Sequence, residues 1–366
     1  MLVCNQSSTD PGMPSNNTNN RKRVFYVKYL ADPSFAERLG VRGDVVLEKL
    51  EDTASDADAA SVLAAAHVYQ VGASRDELPV RFHVGPDLLK RTPNLLIASS
   101  NGAGFDPIDV AACTAAGVIV VNQSGGNARS VAEHVIGMML VLSKRITEAD
   151  RALRRGNVSD RNAYIGTEVL GRTIGIVGLG NTGAQVAKLS SALGLRVLAS
   201  DPFVDAAAMT KHSAEKVTLD ELLRRSDFVS INCPLNAETR GMIGAAQFAM
   251  MRPGSIFITA ARGFIHDEHA LAQALAEKRI AAAGLDVWAK EPPAANHPLL
   301  AFDNVLASPH TAGVTNEARR NMGLIAAEQI LAALDGRRPP RLINPEVWPR
   351  YAARFERAFG FAPESA

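Results

Sequence analysis

The sequence predicts an α/β protein of two doubly wound parallel-sheet lobes with a cleft between them. Three observations carry this prediction. Short apolar, β-rich runs alternate with helical patterns from residue 24 to residue 307. One of these runs, Thr173–Val177, leads into Gly178-Leu179-Gly180-Asn181-Thr182-Gly183 and then into a helical pattern. A long amphipathic helix, Thr315–Leu334, follows the last strand and is placed to return to the first lobe. The expected division is a tail at 1–22, a first lobe from 23–124 and 314–346, a second lobe at 125–313, and a tail at 347–366.

At 366 residues the chain is long enough for two domains. It is 47% hydrophobic and 21% charged, with a formal net charge of +1, so it has no basic face for a nucleic acid. No apolar run approaches a membrane span, and the N-terminal residues lack the apolar core of a signal peptide. Cys4, Cys113 and Cys233 contain no CxxC pair. That spacing argues against a disulfide framework or a thiolate metal site, and the expected location is the cytoplasm.

Residues 1–20, rich in Ser, Asn, Thr, Pro and Gly, are expected to be disordered. In the first lobe, strands are expected at Val24–Leu30, Val45–Leu50, His67–Gly72, Asn94–Ser99 and Val118–Val121. Helices are expected at Ala57–Ala66, Pro86–Arg91 and Ile108–Ala116, with an irregular excursion over 73–85. Asn127–Arg155 reads as a long helical bridge with a break near Arg145. After the glycine motif, strands are expected at Leu195–Ala199, Phe228–Ile231, Ser255–Thr259, Ala281–Asp286 and Asn304–Ala307. With Thr173–Val177 they make about six parallel strands. Helices at Leu219–Arg225, Ala245–Met250 and His269–Glu277 separate them. The aromatics Trp348, Tyr351, Phe355, Phe359 and Phe361 mark the final segment as one that docks on an apolar surface.

The glycine motif stands where a dinucleotide fingerprint requires it, between strand and helix. Gly178 permits the sharp turn, Gly180 lets the backbone approach a pyrophosphate, and Gly183 allows close helix–strand packing. The helix N-terminus attracts the phosphates. Asp201 lies 23 positions after Gly178, close to the separation of about 20 at which an acid meets the adenosine ribose. Its carboxylate would repel a 2′-phosphate, which selects NAD over NADP.

Ligands of open α/β sheets bind at the C-terminal ends of the strands. Three loops there carry chemistry: Thr259-Ala260-Ala261-Arg262-Gly263, Asp286-Val287-Trp288-Ala289-Lys290-Glu291-Pro292 and Ser308-Pro309-His310-Thr311-Ala312-Gly313. Ketone reduction needs a proton donor that titrates near neutral pH, which His310 offers. It needs a cation to hold a carboxylate and polarise the carbonyl, which Arg262 offers. Glu291 behind the histidine would raise its pKa and orient its ring. Asp286, at a strand end, reads as a buried ion-pair member or a partner of the nicotinamide carboxamide.

Together with Gly102-Ala103-Gly104-Phe105-Asp106, Ser130-Val131-Ala132-Glu133 and Gly284-Leu285-Asp286-Val287, these motifs resemble the D-isomer-specific 2-hydroxyacid dehydrogenases over roughly residues 95 to 345. The resemblance implies a Rossmann cofactor domain and a flavodoxin-like substrate domain. It implies that Arg262, Glu291 and His310 are catalytic and that Ala103, Gly104 and Arg262 bind the substrate. It further implies that Gly178, Gly180, Asn181, Thr182, Gly183, Asp201, Pro234, Ala260, Asp286 and Gly313 contact NAD, with no metal. The expected activity interconverts a small 2-oxo acid and its D-2-hydroxy acid, of hydroxypyruvate, glyoxylate or 3-phosphoglycerate type, in a homodimer joined at the bridging helix. Arg75 and Arg81 are candidates for a substrate phosphate, no regulatory C-terminal domain is expected after residue 345, and Tyr164 stands where an aromatic, often Trp, is common. A cofactor-sensing corepressor on the same scaffold is the alternative. Formate dehydrogenases resemble the chain too, but carry glutamine where Glu291 stands.

Overall fold

The computed structural model describes residues 21–73, 75–158 and 160–365. The disorder expected for residues 1–20 lies outside them. The first lobe runs β1 (Lys22–Val27), α1 (Pro33–Gly40), β2 (Val45–Leu50), α2 (Asp56–Ala65), β3 (Val68–Val71), α3 (Pro86–Arg91), β4 (Ile97–Ser100), α4 (Val110–Ala116) and β5 (Ile119–Val121). Its five strands are parallel, in the order β2-β1-β3-β4-β5. The excursion between β3 and α3 holds two short 3-10 turns, Arg75–Glu77 and Val80–Phe82.

Two helices then lead to the second lobe, α5 (Ala128–Ser143) and α6 (Ile146–Arg154). The break expected near Arg145 is there, with Arg145 at φ +53°. The second lobe runs β6 (Thr173–Val177), α7 (Asn181–Ala192), β7 (Arg196–Ser200), α8 (Ala206–Thr210), β8 (Ala214–Lys216), α9 (Leu219–Arg225), β9 (Phe228–Ile231), α10 (Ala245–Met250), β10 (Ile256–Thr259), α11 (Glu268–Ala276), β11 (Ala282–Leu285) and β12 (Val305–Ala307). The chain closes with α12 (Asn316–Leu334) and α13 (Trp348–Phe359).

The second sheet is parallel, in the order β12-β11-β10-β9-β6-β7-β8. Its order reverses beside β6, the switch point where an open α/β sheet takes its ligand. It has seven strands rather than about six. The extra one, β8, is three residues long, has two exposed charged positions and sits at an edge. Edge strands are often short and charged because an open edge invites pairing, and that leaves little apolar pattern to read.

Each sheet is covered on both faces. In the second, α5 and α7 pack one face through Val135, Met139 and Val186. The other face takes α9, α10 and α11 through Leu222, Phe248 and Leu271. In the first, α2, α3 and α4 cover one face, while α1 and α12 cover the other. Helix α1 was absent from the sequence reading. Asp32 caps it by accepting from the Ser34 N–H at 2.9 Å, with Pro33 opening it, a start signal that the short apolar pattern obscured.

The aromatic segment docks on its own chain. Trp348, Tyr351 and Phe355 are buried in the core that holds Ile97, Ile119 and Ile330. The Tyr351 hydroxyl donates to the Ala333 carbonyl at 2.9 Å. Burial of a side chain such as Phe355 contributes about 1.5–3 kcal/mol. The segment set apart as a tail at 347–366 thus supplies part of the first sheet's cover. Two connections join the lobes, β5 to α5 and β12 to α12. They meet where the Ser130 and Thr315 hydroxyls share a hydrogen bond of 2.7 Å. No helix among the described residues is long and apolar enough to cross a membrane.

Candidate active site

At the switch point β6 turns sharply through Gly178, at φ +89°. A Cβ on Gly183 would stand 2.1 Å from the Gly178 carbonyl oxygen, so only glycine lets α7 approach the strand this closely. Gly180 faces open space and starts α7 without a side-chain cap. The first-turn N–H groups are left for an anion. Asp201 directly follows β7, and its Oδ2 accepts from the Leu179 N–H at 2.8 Å, its Oδ1 from the Phe203 N–H at 2.9 Å. The acid therefore pins the glycine turn while standing beside it. Gly180, Asn181, Thr182, Pro234 and Ala260 line one trench of about 530 Å³. Asn181 also reaches across to the first lobe, its Nδ2 donating to Ser124 Oγ at 2.9 Å. This open, uncapped and glycine-bare cradle fits a dinucleotide pyrophosphate.

The trench runs into a second cavity of about 480 Å³, with Ala103, Gly104, Ala260 and Arg262 shared between them. On its first-lobe side, the Gly102–Gly104 loop has all three carbonyls turned into the protein. They accept from the Gln123 N–H at 2.9 Å, the Asn122 Nδ2 at 2.7 Å and the Ser100 hydroxyl. Among the described residues nothing accepts from the Ala103 and Gly104 N–H groups, which border the cavity. Two adjacent N–H donors beside a cavity make an anion cradle. Arg262 lies against this loop, its Nη2 3.2 Å from Asp106 Oδ2 and its Nη1 donating to the Ala261 carbonyl at 2.7 Å.

The second-lobe side brings the histidine and glutamate together. His310 Nδ1 and Glu291 Oε2 are 2.6 Å apart. Glu291 Oε1 accepts from the Trp288 N–H at 3.0 Å, which fixes the other end of the carboxylate. The hydrogen bond to Glu291 raises the His310 pKa against the opposing effect of burial, and the glutamate charge adds to the rise. For Glu291, burial pushes upward, but the His310 hydrogen bond and charge, the Trp288 N–H and Arg262 outweigh it, so its pKa is lowered. The pair thus shifts His310 towards its protonated form and Glu291 towards its ionised form. His310, Glu291, Arg262, Asp286 and Gly313 all line the same cavity.

Asp286 is fully buried and its acceptors are engaged within the chain. Oδ1 accepts from Ser308 Oγ at 2.6 Å and the Thr311 N–H at 2.8 Å, and Oδ2 accepts from the Ala312 N–H at 2.9 Å. Its backbone carbonyl accepts from the His310 N–H at 2.7 Å. The residue read as an ion-pair or nicotinamide partner holds the histidine loop, in which His310 takes φ +55°, and its Oδ1 lies within ion-pair distance of His134 Nε2, at 3.7 Å. His134, read as structural, donates from Nε2 to Ser308 Oγ at 3.0 Å, since the serine proton goes to Asp286, and completes this support. Arg81 is turned away from the cavity, donating to the Asp52 and Ala54 carbonyls.

Residues 136–312 match the family described as D-isomer specific 2-hydroxyacid dehydrogenase, NAD binding domain. The glyoxylate reductase of Aeropyrum pernix is 39% identical over 267 residues, 71% of this chain and 80% of that one. The chain belongs to the D-isomer specific 2-hydroxyacid dehydrogenase family. Its second lobe is an NAD-binding domain of that family. The D-3-phosphoglycerate dehydrogenase of Archaeoglobus fulgidus is 43% identical over 253 residues, 69% of this chain and 48% of that one. The chain thus spans about half the length of the phosphoglycerate dehydrogenases it matches. Among solved structures, a Thermus thermophilus protein superposes with a TM-score of 0.76 at 27% identity, over 88% of this chain and 99% of that one. The Aquifex aeolicus D-lactate dehydrogenase complexed with NAD and lactic acid gives 0.73 at 26%, over 86% and 96%.

Several residues that shape this family member's site escaped the sequence reading. Asn122 and Ser100 turn the loop carbonyls inward, but neither belongs to a motif that announces the role. Behind Glu291, Glu268 Oε1 accepts from the Ala289 N–H at 2.8 Å, and its Oε2 lies 3.2 Å from His297 Nε2. The His297 ring meets Trp288 edge to face at 5.3 Å. A Glu opening a helix and a His before Pro-Leu-Leu look like ordinary caps in one dimension. A close approach makes Gly104 testable. A Cβ there would meet Arg262 Nη2 at 2.1 Å and Asp106 Oδ2 at 3.1 Å. Gly104→Ala is expected to push the guanidinium off its position and lower kcat/KM about 100-fold, the usual effect of a misplacement of about 1 Å. Steady-state kinetics that match the parent would show the contact to be irrelevant.

Proposed function

We propose that the chain catalyses the NAD-dependent interconversion of a small 2-oxo acid and its D-2-hydroxy acid. The observation that carries this reading is the hydrogen-bonded Glu291–His310 pair, facing the same cavity as Arg262 and the Ala103 and Gly104 N–H groups. Bound NADH supplies a hydride equivalent. The Ala103 and Gly104 N–H groups take the substrate carboxylate. Arg262 adds charge to that grip and polarises the carbonyl. His310, with Nδ1 held by Glu291, delivers the Nε2 proton to the carbonyl oxygen. In the reverse direction the same nitrogen accepts the hydroxyl proton. Gly178, Gly180, Asn181, Thr182, Gly183, Asp201, Pro234, Ala260, Asp286 and Gly313 form the dinucleotide's surroundings. Relatives named for phosphoglycerate, glyoxylate and lactate support substrates of that size. The test is NADH oxidation against a panel of 2-oxo acids, and flat rates on all of them overturn the reading.

The working state is a cytoplasmic homodimer. Helix α6 supports the dimer, because it buries none of its residues and exposes Ile146 and Leu153. Ile165 and Leu170, in the segment that follows it, are also exposed. Apolar surface of this kind calls for a partner. Light scattering on purified protein is expected to give twice the 39.0 kDa chain mass; a monomer mass removes the dimer.

A further inference from the structure

The cavity beside His310 continues to a far wall made by the first lobe and α12. Tyr29, Glu77, Arg319 and Met322 line it. Tyr29 follows β1, Glu77 ends the first turn of the 73–85 excursion, and Arg319 lies one turn into α12. The Glu77 carboxylate is fixed in place. Its Oε2 accepts from the Ala73 N–H at 2.8 Å, and the Tyr29 hydroxyl is hydrogen-bonded to it. Burial, together with the Glu77 charge, pushes the Tyr29 hydroxyl up to about 12. Tyr29 therefore keeps its proton, directs it to Glu77 and presents its oxygen as an acceptor.

The wall thus offers a carboxylate and a phenol oxygen as acceptors and one guanidinium as donor. From this we infer that the far wall reads a hydroxyl group on the substrate, so that the preferred substrate is a 2-oxo acid with a short, neutral, hydroxylated side chain. A hydroxyl satisfies both halves of the wall, because it donates to an acceptor and accepts from Arg319. A terminal phosphate would bring its negative charge against Glu77, a like-charge contact that selects against it. Arg319 is the one guanidinium on this wall, and the two arginines read as phosphate candidates are directed elsewhere. Arg81 holds the Asp52 and Ala54 carbonyls, and Arg75 donates to the Asp106 carbonyl and borders the dinucleotide trench. This inference rests on the proposed 2-oxo acid reduction and narrows its substrate.

The experiment compares kcat/KM of the full chain, with NADH, on hydroxypyruvate, pyruvate and phosphohydroxypyruvate. Hydroxypyruvate is expected to exceed both others by at least about 10-fold, since a site built to bond a hydroxyl penalises its absence. Glu77→Gln is expected to reduce the hydroxypyruvate-to-pyruvate ratio and to narrow the penalty on the phosphorylated acid. Arg319→Gln is expected to reduce the first ratio without helping the phosphorylated acid. Ratios are read so that a loss of folded protein cancels. Equal use of pyruvate, preference for the phosphorylated acid, or unchanged ratios in both variants overturns the inference while leaving the reduction standing. No turnover on any acid overturns both.

Discussion

His310→Asn is expected to lower kcat for 2-oxo acid reduction by about 10²–10⁴-fold, the usual range for loss of a general acid. Asparagine suits the test because His310 holds φ +55°, a conformation asparagine tolerates better than other non-glycine residues. The backbone N–H to the Asp286 carbonyl, at 2.7 Å, is then kept, so the loop stays in place while the titrating ring is lost. NADH affinity, followed by the quenching of protein fluorescence, should change little, because the trench that begins at Gly180 lies in another loop. Near-parental turnover in this variant would remove His310 as proton donor.

Glu291→Gln should move the pH profile as well as lower the rate. The carboxylate now raises the His310 pKa through a 2.6 Å hydrogen bond and its charge, against burial. Reduction needs the protonated ring, so its kcat/KM is flat at low pH and falls as pH rises through the His310 pKa. Glutamine removes the charge, the pKa drops, and that alkaline fall moves to lower pH. Oxidation needs the neutral ring, so its acid-side fall moves to lower pH too. One unit of displacement corresponds to about 1.4 kcal/mol of lost interaction between the pair. A rate loss with unmoved limbs in both directions would separate Glu291 from the titration of His310.

Much of this arrangement was legible in one dimension. Gly178 and Gly183 answer to steric needs that no other residue meets, and Gly180 keeps the cradle between them open, so their spacing announces the turn. Arg262, Glu291 and His310 stand at successive strand ends, and strand ends can be read from apolar runs. Asp286 was visible as a strand-end acid, but its use was not, since its donors at Ser308, Thr311 and Ala312 come from another strand's loop. Asn122 and Ser100 act only through carbonyls whose direction depends on tertiary structure. Helix α1 and strand β8 are short, and the information in two turns or three residues is too small to stand out from loop sequence.

The docking of Phe355 against the first sheet has a temporal side. All seven strands of the nucleotide lobe have been synthesised once Ala307 emerges, and that sheet draws on a continuous stretch of chain. The other lobe begins to emerge earlier but closes its core only after Trp348, Tyr351 and Phe355 have been added. During synthesis its strands β1 to β5 wait with one apolar face incompletely covered, the state in which sheets are most open to wrong pairing. The lobe that starts first is thus the last to be sealed.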